Sequence, residues 1–196
     1  MKKMLLILAL ALCSYANAQK GSILVMGSVY YNSENTSEPN SENKNFNLGF
    51  APKIGYQFHE NWTAGVESDF YANKQKQSYM DTEYKYNIFS IGGFLRYSKP
   101  INQTFSAYAD FGVGYQNKKD NFHNEINESV RKGNGMYVDL TPALFIDINK
   151  GFGLNFNIGG LGYSTLSYDE NNGSADVKRF NFSFGQAFSI GISKNF

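Results

Sequence analysis

The chain has 196 residues, of which 42% are hydrophobic and 16% aromatic, with 17 Phe and 14 Tyr against one Trp. Its 18 Lys and Arg offset 17 Asp and Glu, so the basic footprint of a nucleic-acid-binding protein is missing and no nucleic-acid partner is expected. The length suits one domain, and a single cysteine, Cys13, excludes both a disulfide framework and a thiolate metal site.

Residues 1–18 read as a secretory signal peptide. Lys2 and Lys3 give a positive start, Met4 to Leu12 an apolar run, and Ala16-Asn17-Ala18 the small residues that a signal peptidase reads. Cleavage is expected between Ala18 and Gln19, leaving 19–196 as the mature domain. The apolar run is shorter than the roughly 20 residues a membrane-spanning helix needs. A lipoprotein signal is disfavoured because Leu12, before Cys13, is not small. Removing Lys2 and Lys3 leaves 16 basic against 17 acidic residues, a formal charge of −1.

The rest of the chain repeats a period of two, the signature of β-strands with one apolar and one polar face. The pattern is weak over Ile23 to Tyr31. It is clear where Phe46, Leu48, Phe50, Pro52, Ile54, Tyr56 and Phe58 alternate with Asn47, Gly49, Ala51, Lys53, Gly55 and Gln57. It weakens over Trp62 to Ala72 and Tyr86 to Tyr97, then returns from Phe105 to Tyr115, with Tyr108, Asp110, Gly112 and Gly114 opposite Phe111 and Val113. Val138, Leu140, Pro142, Leu144, Ile146 and Ile148 alternate with Asp139, Thr141, Ala143, Phe145 and Asp147, and Phe152, Leu154, Phe156 and Ile158 with Gly153, Asn155, Asn157 and Gly159. From Phe180 to Phe196 the even positions carry Phe180, Phe182, Phe184, Phe188, Ile190, Ile192 and Phe196, and the odd ones mostly small or polar residues. Eight antiparallel strands are therefore expected, with bulges or weak points at Pro52 and Pro142, where the ladder loses an N–H.

Connections alternate in length. His59-Glu60-Asn61, Lys99 to Gln103 and Asn149-Lys150-Gly151 are short; Ser33 to Lys44, Asn73 to Glu83, Asn117 to Gly135 and Asp169 to Lys178 are longer and polar. This is the pattern of a transmembrane barrel with short periplasmic turns, longer extracellular loops and, for an even strand number, both termini in the periplasm. Periodicity alone also allows a soluble lipocalin-like barrel with its apolar face inward. Aromatics near the short turns (Phe58, Trp62, Tyr97, Phe105, Phe152 and Phe196) favour the membrane, where aromatic girdles mark the interfaces.

The signal ending Ala16-Asn17-Ala18, the alternating last strand and Phe196 together resemble the outer-membrane β-barrel proteins of the OmpA/OmpX transmembrane-domain type in Gram-negative bacteria. The resemblance covers the whole mature chain. It implies an all-β, eight-stranded antiparallel transmembrane barrel in contact with outer-membrane lipid, recognised by the barrel-assembly machinery through the C-terminal strand ending in Phe196. With no peptidoglycan-binding domain expected after Phe196, a cell-wall anchor is not implied.

Some barrels of this architecture modify lipid A with a histidine, a serine and a carboxylate near the outer rim. Here His59 falls in a periplasmic turn, and His123, with Glu125 and Ser129 near it in sequence, falls in a polar loop without a firm scaffold. No catalytic residue, cofactor site or metal site is expected; the oxygen-rich Asp169 to Asp176 lacks the spacing of an EF-hand loop. The inward face is more informative. Lys53 and Arg96 share it with Glu67, Asp69, Asp110 and Asp139, while Tyr71, Tyr108 and Phe145 add bulk. Two readings follow: a side-chain plug, favoured because eight strands leave room for little else, or a narrow constriction for ions or small solutes. The expected role is a non-enzymatic surface protein that meets an unidentified extracellular ligand through its loops.

Overall fold

The computed structural model describes residues 21–39, 41–79, 82–124, 126–170 and 173–196. The signal segment and its cleavage site lie outside the described residues, as do Glu125 and the side chains of Asp169 and Phe188. Eight strands follow in order: β1 Ile23–Glu38, β2 Ser41–His59, β3 Trp62–Gln77, β4 Thr82–Pro100, β5 Phe105–His123, β6 Glu128–Asn149, β7 Phe152–Glu170 and β8 Gly173–Asn195. Each pairs antiparallel with its neighbour, and β1 pairs with β8 to close the barrel. Closure uses Leu24 to Gly27 opposite Asn195 to Ile192, and Ile23 and Phe196 exchange backbone hydrogen bonds of 3.2 and 3.0 Å below them.

The strands run past the segments whose side chains alternate. The four polar connections expected as loops are hairpin extensions, with pairing that continues to Glu38↔Ser41, Gln77↔Thr82, His123↔Glu128 and Glu170↔Gly173. A strand ladder is a backbone property, and beyond the lipid both faces meet water, so the side-chain period fades while the pairing continues. Asn43↔Gln77 and Asn121↔Val130 are examples. Strands of 16 to 23 residues thus exceed the roughly 9–11 that a tilted span requires.

The short turns are built as expected. Asn102 Oδ1 accepts from the N–H groups of Thr104 and Phe105 at 2.9 and 2.8 Å, closing β4 to β5. Lys150 and Gly151 both have positive φ, 46° and 78°, as a type I′ hairpin turn demands.

Face assignment follows the alternation. Val66, Phe70, Phe111, Val113 and Leu140 are exposed on the outside, while Thr63, Glu67, Arg96, Asp110 and Asn155 are buried inside. On β2 the outward run from Phe46 to Phe58 spans roughly 30 Å of barrel height at about 3.3 Å per residue and a tilt near 40°. Trp62 and Tyr97 meet across β3 and β4 at 5.0 Å at its lower edge, and Phe70 and Phe89 at 4.9 Å towards its upper edge.

Both prolines fall where the ladder falters. Opposition of β2 to β3 lapses at Ala51–Pro52 without a register change, and the β6–β7 register shifts between Leu140 and Ala143. The shift places one extra residue on β7 at Ile158-Gly159-Gly160, so outward positions change from Phe152 to Leu161 and Tyr163. Gly159 has φ +125°, and a Cβ there would collide with the Ser183 carbonyl. Gly159→Val is expected to destabilise the barrel by about 2–3 kcal/mol. Urea unfolding in detergent micelles measures this, and an unchanged midpoint refutes it.

One inward stretch departs from the polar expectation. Leu24, Met26 and Phe94 form a small buried apolar cluster inside the barrel. An eight-stranded lumen has to be filled, and a face assigned by its charged members conceals the apolar filler between them.

Candidate functional site

The expected inward charges converge. Asp110 on β5 lies directly opposite Arg96 on β4, and Glu67 on β3 opposite Lys53 on β2, so register sets two salt-bridge rungs, offset by four residues where β3 meets β4. Arg96 donates from Nε to Asp110 Oδ1 at 2.6 Å and from Nη2 to Oδ2 at 2.9 Å, a bidentate fork. Lys53 Nζ joins the rungs, 2.6 Å from Glu67 Oε2 and 3.2 Å from Asp110 Oδ2. The Arg96 guanidinium lies 3.8 Å from the centroid of the Tyr108 ring, and its Nη2 is 3.1 Å from Met26 Sδ. Asp110 is 2% exposed and Arg96 5%, so the pair is desolvated, and its contacts with Lys53 on β2 and Met26 on β1 extend it as a crossbar over the lumen.

Glycine makes room for the carboxylates. A Cβ at Gly112 would sit 2.5 Å from Glu67 Oε1 and 2.7 Å from Asp139 Oδ1. Tyr137, which the sequence reading passed over, donates to Glu67 Oε1 at 2.8 Å. Its signal was available, since Tyr137 shares the inward parity of Asp139.

The crossbar separates two cavities. On the hairpin side, about 320 Å³ is lined by Lys53, Glu67, Asp69, Tyr137 and Asp139, among others. On the short-turn side, about 230 Å³ is lined by Gln57, Thr63, Arg96, Tyr108 and Phe145, among others. No residue lines both. Below the crossbar, Tyr108 donates to Asn155 Oδ1 at 3.0 Å, and Asn155 Nδ2 to Ser193 Oγ at 2.8 Å. Above the upper cavity, Tyr71 and Asn73 donate to Asn47 Oδ1 at 2.8 and 2.6 Å, and Tyr84 to Asp120 Oδ1 at 2.7 Å, with Lys118 2.8 Å from the same oxygen. Lys118 and Asp120 fell in a segment read as a loop, and Tyr84 just outside another, so this last group escaped the sequence reading.

Both histidines lie away from these layers. His59 Nδ1 accepts weakly from the Asn61 N–H at 3.4 Å in the β2–β3 turn. His123, expected in an unscaffolded loop, is instead the exposed last residue of β5, with Glu83 and Glu128 at the register positions on either side. Ser129 lies opposite Phe122.

The profile of the outer membrane protein β-barrel domain matches residues 4–188. The chain belongs to this family. It is accordingly an outer-membrane barrel that contacts lipid, and as in bacterial barrels generally the short turns are periplasmic and the long hairpins extracellular. Several solved structures are similar to the chain at low identity. A major outer membrane protein from Thermus thermophilus aligns with a TM-score of 0.54 at 10% identity, covering 90% of this chain and 99% of that one. Neisserial surface protein A aligns at 0.48 with 14% identity over 91% and 98% of the two chains. Ail, the attachment invasion locus protein of Yersinia pestis, aligns at 0.45 with 16% identity over 90% and 97%. No curated protein sequence matches the chain.

In the family's frame the outer mouth is polar. A cleft of about 340 Å³ lies among Glu34, Thr36, Asn45, Gln75, Thr82 and Tyr84 where the first two hairpins face each other. On the outside of the second hairpin, Glu83 bridges Lys85 and Lys74, the latter at 2.9 Å. Hydrogen bonds from Lys85 and then Lys74 hold its carboxyl down at about 2, from an ordinary 4.5. A folded-state value below the unfolded one stabilises fully above the unfolded pKa, and the effect fades as pH falls from there towards 2. Carboxylate NMR of the barrel in micelles is expected to give a Glu83 midpoint near pH 2; a midpoint above 4 refutes the bridge.

Proposed function

We propose that this barrel is a non-enzymatic surface protein whose lumen is closed by a charged crossbar and whose extracellular hairpins carry the interaction with its ligand. The observation supporting a closed lumen is the Lys53–Glu67–Asp110–Arg96 network, which stands between two cavities that share no lining residue. A ligand-binding role for the hairpins rests on their length and on the polar cleft between the first two. Export through cleavage of residues 1–18, and reading of the strand ending in Phe196 by the assembly machinery, belong to the same proposal. The non-enzymatic reading is supported by His123, whose exposed imidazole makes no hydrogen bond among the described residues.

Planar-bilayer recording tests the closed lumen. The wild-type barrel is expected to give no unitary openings at physiological salt. Reproducible openings that disappear on Lys53→Ala or Arg96→Ala would establish the alternative, a narrow pore for ions or small solutes. Mass spectrometry of lipid A after overexpression tests the non-enzymatic reading, with an unchanged profile expected and a modified one refuting it.

A further inference from the structure

Four lysines on the outer surface keep one spacing from the apolar band. Lys74 stands four residues beyond Phe70 on β3, Lys85 four beyond Phe89 on β4, Lys119 four beyond Tyr115 on β5, and Lys132 four beyond Met136 on β6. Each shares the parity of its outward-facing apolar residue, and all four of those residues are exposed. Four residues of tilted strand raise each lysine by about 10 Å above the band. Lysine stems are long enough to lie along that step while the ammonium stays at the polar level. Lys44 and Lys76 extend the row on β2 and β3. Successive strands therefore lift ammonium groups a similar distance beyond the apolar band, above the hydrocarbon, where the headgroups of the outer leaflet lie.

Register gives a second and independent sign. Lys44 is directly opposite Lys76, Lys74 opposite Lys85, and Lys119 opposite Lys132. Like charges directly opposite one another across a ladder are unfavourable, and three such pairs in one belt call for counter-charge. Part of it comes from the protein. Glu42 meets Lys44 at 3.1 Å, and Glu83 bridges Lys74 and Lys85. Lys119 and Lys132 differ, since they are exposed and neither forms an ion pair among the described residues. Glu128 is four residues above Lys132 on the same strand, farther from the membrane.

We propose that this belt, centred on Lys119 and Lys132, binds the phosphorylated headgroups of outer-leaflet lipid. Two ammonium groups on adjacent strands, with Asn117 and Asn134 between them and the apolar band, offer a phosphate two cationic donors and neighbouring amides. The acyl chains of the same lipid would run down the outward face past Tyr115, Met136, Val113 and Val138. One molecule thereby satisfies both the lysines and the apolar wall. A free phosphate could satisfy only the lysines.

The test uses the barrel in phosphatidylcholine nanodiscs doped with lipid A, with bound lipid quantified by native mass spectrometry. Lys119→Gln/Lys132→Gln is expected to lower lipid A retention about 20-fold, each single variant about five-fold, following the contribution of one cation near an anionic surface. Lys99→Gln/Lys150→Gln at the periplasmic end is expected to leave retention unchanged. Unaltered heat-modifiable gel mobility identifies folded variants, and the single variants serve if the double variant does not fold. Equal retention by wild type and the Lys119 and Lys132 variants overturns the site. So does displacement of lipid A by millimolar inorganic phosphate, which would assign the lysines to bulk anions.

Discussion

Asp110→Ala is expected to lower the unfolding free energy of the barrel by about 3–5 kcal/mol, the range for stripping one partner from a buried ion pair. The reason is what remains. Arg96, 5% exposed, loses both arms of its bidentate fork and keeps the Tyr108 and Phe94 ring faces and the Met26 sulfur. Lys53 suffers less, because Glu67 Oε2 stays 2.6 Å away. The effect should therefore depend on Arg96. In a cycle with Arg96→Met, the double variant Asp110→Ala/Arg96→Met is expected to recover much of the loss, since it also removes the charge that had no partner. Equilibrium urea unfolding in lipid vesicles, followed by Trp62 fluorescence, measures all four corners. A loss below 1 kcal/mol for Asp110→Ala, or additivity of the two substitutions, would show that water solvates the crossbar and that it does not close the lumen.

How far this site could be read from the sequence depended on where the side-chain alternation was clean. Asp110 and Lys53 sit in segments with a clean apolar face, so parity put them on the opposite face, and the aromatics near the short turns made that face the inward one. Register completed the picture, because the number of residues in a short turn fixes which inward residue faces which; Arg96 opposite Asp110 follows from the compact turn between Pro100 and Phe105. The extracellular half was opaque for a physical reason. Outside the lipid both faces of a strand are wet, so Lys118, Asp120 and Tyr84 carry no contrast that would reveal a strand, although their backbones pair as regularly as those in the membrane. Phe94 was hidden differently, as an apolar residue on a face read as polar. The β7 bulge was concealed because Gly159 and Gly160 have no side chain to mark the change of parity. The spacing of the outer lysines from Phe70, Phe89, Tyr115 and Met136 was present in the sequence, but it gains meaning only once those strands are known to continue through the lysines.

Arg96→Ser/Asp110→Ser is expected to turn a silent barrel into a conducting one. The double substitution removes opposite charges together, so it opens the crossbar without leaving a buried ion alone, and Lys53 keeps its bond to Glu67. It also removes two of the side chains that separate the two cavities, about 320 and 230 Å³, and would join them into one polar path. The charge left on the upper cavity wall is Lys53 against Glu67, Asp69 and Asp139, and Lys118 and Asp120 above it cancel, so the new path should favour cations over anions. Bilayer recordings under a potassium chloride gradient give both results: unitary openings, and a reversal potential on the cation-selective side. A silent double variant would place the closure in another layer, with the Lys53–Glu67 pair, the Leu24–Met26–Phe94 cluster, the Tyr108–Asn155–Ser193 chain below and the Asn47–Tyr71–Asn73 cluster above as the remaining barriers. Anion selectivity would mean that the lumen carboxylates do not face the conducting path, contrary to the placement of Asp69 and Asp139 on the cavity wall.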